Sequence, residues 1–325
     1  MESILVTGGA GYIGSHIVET FAQYGYHVIS VDILNECVES ENISYYKTDI
    51  RNIEELRNIF TINPNIRCVI HCAGELGIER SYNNKELFFN QNVFGTDCVI
   101  NTMIEFGVDK IIFASSAAVY SDSLLPQDED SKLHNDMSPY SYSKCLCERK
   151  LEDISQFVGI DYVAFRYFNV VGCNASDKKR LITYLNGTNI VPAMLRAVKS
   201  DSLLYINGND YDTKDGTCFR DYINVEDLAR LHLTTYEKMI SNEWDKSLNG
   251  VYNAGTGKSY SIKELIDECE NVTDTKLRVK YSKRRKGDSP FLCANIDKTK
   301  STFNWSPDKK IGTMLSEIWE TYKLN

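Results

Sequence analysis

The sequence lacks any apolar run that approaches the roughly 18 residues of a membrane-spanning helix. We also expect no signal peptide, because an apparent strand begins at Ser3 and leaves no room for a charged region, an apolar region and a cleavage site. We therefore expect no membrane partner and a cytoplasmic location.

Basic residues are in deficit. The 325 residues include 36 lysines and arginines against 45 aspartates and glutamates, and no cluster of basic residues forms a continuous track. A chain of this charge repels polyanions, so we expect no nucleic-acid partner. The hydrophobic fraction of 42% is enough for a large core, which excludes the fibrous and disordered classes.

No pair of cysteines has the CxxC spacing, although the chain contains ten cysteines. Cys145 and Cys147 are two positions apart, which suits neither a metal site nor a disulfide within a helix. We expect the cysteines to be reduced thiols and predict no bound metal.

Short apolar runs alternate with helical patterns through the first half of the chain. Strands are predicted at SILVTG, YHVISVD, ISYYKTDI, RCVIHCAG, KIIFASS and DYVAFRYF, and helices around residues 13–24, 53–62, 85–106 and 139–158. This alternation predicts an α/β fold with a Rossmann-type doubly wound parallel sheet over residues 1–170, and a return crossing near 220–238. A smaller α/β domain is predicted over residues 171–325, where segments rich in Gly, Asn and Asp replace the regular pattern.

The segment VTGGAGYIG places Gly8, Gly11 and Gly14 between the first strand and the first helix. Glycines there allow a pyrophosphate to approach the backbone N–H groups at the start of the helix. Asp32 follows Gly14 by 18 residues, at the end of the second strand. Its carboxylate can accept hydrogen bonds from a ribose diol and would repel a 2′-phosphate, so the pattern favours NAD over NADP. The alternative is a glycine turn with a capping aspartate.

A second glycine segment, NAGTGKSYS at residues 253–261, contains GKS, which resembles the end of a phosphate-binding P-loop. That motif requires a glycine five positions before Gly257, and Tyr252 occupies this position. We interpret the segment as a turn between a strand and a helix that begins near Ser261.

The segment SPYSYSKCLCERK, residues 138–150, carries two tyrosines just before Lys144. Ser138 is a suitable N-cap and Pro139 a suitable first helical residue. Side chains four apart share a helical face, so Tyr140 lies over Lys144 whereas Tyr142 points elsewhere. An ammonium and a cationic nicotinamide ring would both favour the phenolate, which suits removal of a hydroxyl proton. The alternative is that Tyr140 is an ordinary helical aromatic and that Lys144 pairs with Glu148.

Two serines stand where a parallel sheet presents its ligands. Ser115 and Ser116 end the strand KIIFASS, at the carboxyl edge of the predicted sheet. A dinucleotide turn, a strand-end serine and a Tyr/Lys helix are together more specific than any of them alone.

At this point the sequence resembles the UDP-glucose 4-epimerase family of the extended short-chain dehydrogenase/reductase superfamily. The resemblance covers nearly the whole chain and rests on TGGAGYIGSH, DIRN, NVFGT, SSAAVY, SPYSYSK, RYFNVVG, NGNDYDTKDGTCFRDYINVEDLARLH, YNAGTGKSYS and RRKGD. It implies a tightly bound NAD, a UDP-sugar substrate, a homodimer and a second domain that binds the UDP-sugar. The implied activity interconverts UDP-glucose and UDP-galactose, or the N-acetylated pair, by transient oxidation at C4.

The resemblance also implies roles for individual residues. Tyr140 becomes the catalytic base and acid, Lys144 holds the nicotinamide ribose and lowers the pKa of the tyrosine, and Ser116 binds the sugar hydroxyl. The implied cofactor-binding residues are Gly8, Gly11, Tyr12, Ile13, Gly14, Asp32, Asp49, Ile50, Ala73, Gly74, Asn92, Ser115, Tyr140, Lys144 and Tyr167. The implied substrate-binding residues are Ser116, Tyr140, Asn169, Asn189, Asn207, Arg220, Arg285 and Asp288. For Arg284 and Arg285 a solvated basic turn is the alternative.

Three positions depart from the family pattern. Leu76 stands where the family usually has a lysine, with Arg80 a little later, and Asn207 replaces a usual aromatic. Leu292 falls where the size of the residue helps to decide whether an N-acetylated sugar fits. The choice among glucose, N-acetylglucosamine and uronate is therefore open.

Two other functions compete with the epimerase. A nucleotide-sugar 4,6-dehydratase or decarboxylase could use the same scaffold, but dehydratases place an acidic pair where Ala117 and Ala118 stand. A non-catalytic NAD-binding regulatory protein would keep the fold, and the intact Ser116, Tyr140 and Lys144 argue against it.

Overall fold

A computed structural model describes residues 2–34, 41–173, 178–285 and 287–324. The strands are β1 Ser3–Thr7, β2 His27–Asp32, β3 Ile43–Lys47, β4 Ile66–His71, β5 Lys110–Ser116, β6 Asp161–Tyr167, β7 Asn169–Val171, β8 Leu203–Asn207, β9 Phe219–Asn224, β10 Gly250–Ala254, β11 Ser259–Ser261, β12 Arg278–Ser282 and β13 Phe291–Leu292. The helices are α1 Tyr12–Gln23, α2 Ile53–Ile62, α3 Ile78–Asn83, α4 Lys85–Phe88, α5 Gly95–Glu105, α6 Pro139–Phe157, α7 Lys178–Leu185, α8 Ile190–Ser200, α9 Val225–Ile240, α10 Ile262–Thr273, α11 Asp297–Phe303 and α12 Ile311–Lys323. A π-helical turn, Phe89–Phe94, joins α4 to α5.

Seven strands form the large sheet, in the order β10-β6-β5-β4-β1-β2-β3, and all neighbours are parallel. All six strands predicted from the first half of the chain are in it, so the predicted α/β class and doubly wound parallel sheet are confirmed. The chain order reverses between β1 and β4, and a crevice forms there at the carboxyl ends of the strands.

Apolar clusters cover both faces of the large sheet. On one face α1 and α9 pack on strand residues such as Ile4 and Ile112. On the other face α2, α5 and α6 pack on residues such as Leu5 and Ile111. The near-continuous apolar strands follow from this two-sided burial.

After β7 the chain builds two small sheets and then returns to the large one. In the first small sheet β9 pairs with β7, β11 and β13, and in the second β8 pairs with β12. A separate apolar cluster joins these elements to α8, α10 and α12. The predicted return crossing falls largely on α9, and β10 then adds a strand to the large sheet. The boundary between residues 170 and 171 stays a prediction.

Membrane-spanning helices, metal-binding clusters and disulfides are absent from the ranges that the structure describes. No helix there combines the length and the apolar character that crossing a bilayer requires. No group of three or more His, Cys, Asp or Glu side chains in these ranges could hold a metal ion. The nine cysteines in the same ranges are free thiols.

Candidate active site

The turn between β1 and α1 borders the crevice, and its backbone conformation requires glycines. Gly8 has a φ of +69°, and a Cβ there would lie 2.7 Å from the backbone nitrogen of Ala73. A Cβ at Gly14 would overlap the carbonyl oxygen of Gly8. Gly11 precedes the first residue of α1 and has no side chain to cap it. No side chain caps the N–H groups at this helix start, which fits a pyrophosphate.

Asp32 is buried at the end of β2, beside this turn. Its two carboxylate oxygens each accept one backbone hydrogen bond at 3.0 Å, from the N–H groups of Ala10 and Leu34. These bonds fix the carboxylate at the wall of the crevice. Carboxylate oxygens have further lone pairs, so the site fits a ribose diol.

The helix that carries the Tyr/Lys pair begins as the sequence predicts. The Ser138 hydroxyl accepts a hydrogen bond from the N–H of Ser141 at 3.1 Å, and Pro139 is the first residue of α6. Tyr140 is only 8% exposed and lines the crevice, as does Lys144. Tyr142 is 44% exposed, with its ring against Phe89. Tyr140 and not Tyr142 therefore lines the crevice together with Lys144.

The polar partners of the pair come from the end of β5. Lys144 Nζ donates to the carbonyl of Ala114 at 2.8 Å. Burial raises the pKa of the Tyr140 phenol, and the Ser116 hydroxyl opposes that rise. Burial lowers the pKa of the Lys144 ammonium. The Ser116 hydroxyl also accepts from the N–H of Ala118 at 3.2 Å, which fixes it at the strand end.

The substrate-side residues come from the second half of the chain. Asn169 lies on β7, Arg220 on β9 and Asp288 before β13, and all three line the crevice together with Asn189 and Arg285. Arg220 is buried and donates to the Asp288 carboxylate. The arginine stays charged and suits a diphosphate, and the carboxylate suits a ribose diol.

One crevice of about 1190 Å³ brings these groups together. Every predicted site residue lines it except Asn92 and Asn207. Asn92 is buried and accepts from the N–H of Glu75 at 2.7 Å, so it shapes the loop after β4. The Asn207 amide oxygen lies 2.7 Å from Arg285 Nε when the amide is oriented so that its nitrogen donates to Ser282. Each asparagine therefore contacts a residue that lines the crevice.

The model of the NAD dependent epimerase/dehydratase family matches residues 4–255. The chain belongs to this family. A UDP-glucose 4-epimerase of Yersinia enterocolitica is 34% identical over 99% of this chain and 98% of its own length. A crystal structure of UDP-glucose 4-epimerase from Bifidobacterium longum in complex with NAD+ and UDP superposes with a TM-score of 0.89, at 30% identity, over 99% of this chain and 98% of that chain.

Membership of the NAD dependent epimerase/dehydratase family confirms the predicted family resemblance and the predicted use of NAD. The likeness extends to enzymes with a different sugar in their names. A UDP-N-acetylglucosamine 4-epimerase of Methanobrevibacter ruminantium has a TM-score of 0.84 at 27% identity, over 99% of this chain and 98% of that chain. Family membership alone therefore leaves the sugar open.

The three departures from the family pattern lie at or beside the crevice. Leu76 is 64% exposed at its wall, and the neighbouring Arg80 donates to Glu75 at 2.5 Å. Leu292 is half-buried and packs on the cluster that contains Ala117. Asn207 contacts Arg285, so the position that usually carries an aromatic here carries a hydrogen-bonding group.

A buried ion pair behind the Tyr/Lys helix was missed by sequence reasoning. Glu148 does not take Lys144 as its hydrogen-bonding partner; it accepts two hydrogen bonds from Arg166, at 3.0 and 2.7 Å, and one from Ser115 at 2.5 Å. The signal was available in part, because Glu148 is four residues after Lys144 and shares its buried helical face. The partner on β6 has no local signal.

Proposed function

We propose that this protein is a nucleotide-sugar 4-epimerase that interconverts UDP-glucose and UDP-galactose by transient oxidation at C4. One observation carries the proposal: Tyr140, Lys144 and Ser116 share a crevice with both the glycine turn and the pair formed by Arg220 and Asp288. A base for a hydroxyl therefore faces the same space as a dinucleotide site and a diphosphate site.

The residues of the chain supply acid–base chemistry and hold the nucleotide-sugar. Tyr140 removes the proton of the sugar 4-hydroxyl, and Ser116 holds the C4 oxygen through a hydrogen bond. The glycine turn and Asp32 would hold NAD, which would supply hydride transfer from C4 and back, so that no net oxidation results. Between the two transfers the 4-keto sugar rotates about its diphosphate linkage, while Arg220, Arg285 and Asp288 keep the nucleotide in place. Tyr140 then returns the proton to the C4 oxygen.

The dehydratase alternative requires an acid that the strand end does not offer. Ala117 is buried beside Ser116, and Ala118 lies on the crevice wall. Neither can protonate a leaving hydroxyl, so elimination of water has no catalyst at this position.

The proposal is tested by incubating the purified protein with UDP-galactose, UDP-N-acetylgalactosamine and UDP-glucuronate, with chromatography for the 4-epimer. We expect UDP-glucose to form from UDP-galactose without net reduction of NAD. A 4-keto-6-deoxy product would instead identify a dehydratase. No product from any sugar, with NAD bound, would support the non-catalytic alternative and refute the proposal.

Asn207 is proposed to hold Arg285 for the nucleotide. Replacing Asn207 by alanine removes a hydrogen bond to a charged group, which we expect to raise the Kd of UDP roughly tenfold. Titration calorimetry with UDP measures this change. The exposed neighbour Asn209 provides the control Asn209→Ala, which should leave the Kd unchanged. Equal affinities in both variants would contradict the role of Asn207.

We also propose that the protein is a cytoplasmic homodimer. Large apolar side chains are exposed on α6 and its neighbour, among them Phe94, Tyr142 and Phe157. Exposed apolar side chains on these helices support an interface formed by them. Light scattering of the purified protein tests the assembly, and a monomeric mass at micromolar concentration would refute it.

A further inference from the structure

The buried contacts of Glu148 join three elements behind the crevice. Glu148 lies on α6, Ser115 on β5 and Arg166 on β6, and each is less than a tenth exposed. The carboxylate of Glu148 accepts from the Ser115 hydroxyl and from two guanidinium nitrogens of Arg166. Three donors of the cluster thus converge on one carboxylate.

Stability alone does not account for a buried ion pair. Removing two charges from water costs about as much as their attraction returns, and well-packed apolar residues of similar size are often as stable or more so. A pair such as Glu148–Arg166 therefore points to a requirement for geometry, which hydrogen bonds define more sharply than apolar packing.

The geometry that these hydrogen bonds define is the position of α6 against the end of β5. In the parallel ladder Ser115 is the partner of Arg166, and Ser116 is the partner of Tyr167. Lys144 holds the carbonyl of Ala114, and one helical turn later Glu148 holds the hydroxyl of the next residue, Ser115. Two successive turns of the helix are therefore attached to two successive residues of the strand.

Arg166 extends the same cluster to a second wall of the crevice. Its guanidinium donates to the carbonyl of Glu129 at 3.0 Å and lies 4.8 Å above the ring of Tyr120, which lines the crevice. The Tyr120 hydroxyl donates to Asn253 on β10 at 2.7 Å. The Glu148–Arg166 ion pair is thus connected to the residues that surround the end of β5.

We propose that Glu148 is a positioning residue for the reaction at Tyr140. By holding Ser115 and Arg166 together, it fixes α6 against β5 and so keeps the Tyr140 phenol facing the same part of the crevice as Ser116. This inference rests on the proposed 4-epimerase function. It assigns a catalytic consequence to a residue that does not touch the substrate.

The decisive variant combines Glu148→Leu with Arg166→Met, which replaces the ion pair by apolar side chains of similar size. We expect the melting temperature and the amount of bound NAD to match those of the parent protein within error. We expect kcat to fall roughly 30-fold and KM to change less than threefold. The milder Glu148→Gln keeps one acceptor and should lower kcat about fivefold. Glu152→Gln, an exposed glutamate one turn further along α6, is the matched control.

An NMR measurement that does not depend on turnover reports on the Tyr140 phenol. With tyrosines labelled by 13C at Cζ, the NMR resonance of Tyr140 is identified by its loss in Tyr140→Phe. We expect this resonance to move in Glu148→Gln and in the double variant, and to stay in place in Glu152→Gln.

The possible failures are distinct. Absence of epimer from the parent protein would refute the proposed function, and the NMR experiment would still decide whether Glu148 positions Tyr140. An active double variant with unchanged kcat would show that the ion pair serves folding only and would overturn the inference. If the double variant does not fold, an unchanged kcat and an unmoved resonance in Glu148→Gln would overturn it equally.

Discussion

Replacing Tyr140 by phenylalanine is expected to lower kcat roughly 10³-fold, within the range that a positioned acid or base contributes. The ring of Tyr140 is buried against Phe88, so the variant keeps the packing and loses only the hydroxyl. The fold and the bound NAD should therefore be retained. Initial rates with UDP-galactose, circular dichroism and quantification of NAD released by denaturation provide the measurements.

Tyr142→Phe is the matched control, because it removes the same atom two residues away on the same helix. Its side chain is exposed and contacts Phe89 instead of the crevice. We expect its kcat to remain within twofold of the parent value. Comparable losses in the two variants would refute the assignment of Tyr140 as the base.

Helical spacing selected Tyr140 because a local rule was sufficient. Residues four apart on a helix share a face in any fold, and the N-cap Ser138 with Pro139 marks where the helix starts. The strands of the large sheet were predictable for a similar reason, since their apolar runs are short and regularly spaced. Such features depend on neighbours in the sequence.

The remaining features depend on contacts between distant segments. β10 was expected as a strand, but no local pattern shows that it pairs with β6 in the large sheet. The bond between Asn207 and Arg285 joins β8 to the loop after β12, and the bonds of Glu148 join α6 to β5 and β6. Pairings of this kind become visible only when the fold has brought the elements together.

Gly14→Ala is expected to abolish the retention of NAD and to lower the melting temperature by about 5 °C or more. In an ordinary helix alanine is more stable than glycine by about 1 kcal/mol, so propensity alone predicts the opposite sign. The added Cβ would overlap the carbonyl oxygen of Gly8, and that backbone is itself held close to Ala73. Thermal unfolding and the absorbance of released NAD measure the two effects.

Gly25→Ala is the control variant, because it introduces backbone strain without an overlap between atoms. Gly25 has a φ of +86°, yet a Cβ there would meet no atom within 4 Å. Alanine in a left-handed conformation costs about 1–2 kcal/mol, so this variant should lose some stability and keep its NAD. If Gly14→Ala instead kept its NAD and melted like the parent, the first turn of α1 would tolerate a side chain. The tight fit between Gly8 and Gly14 could not then be what shapes the dinucleotide site.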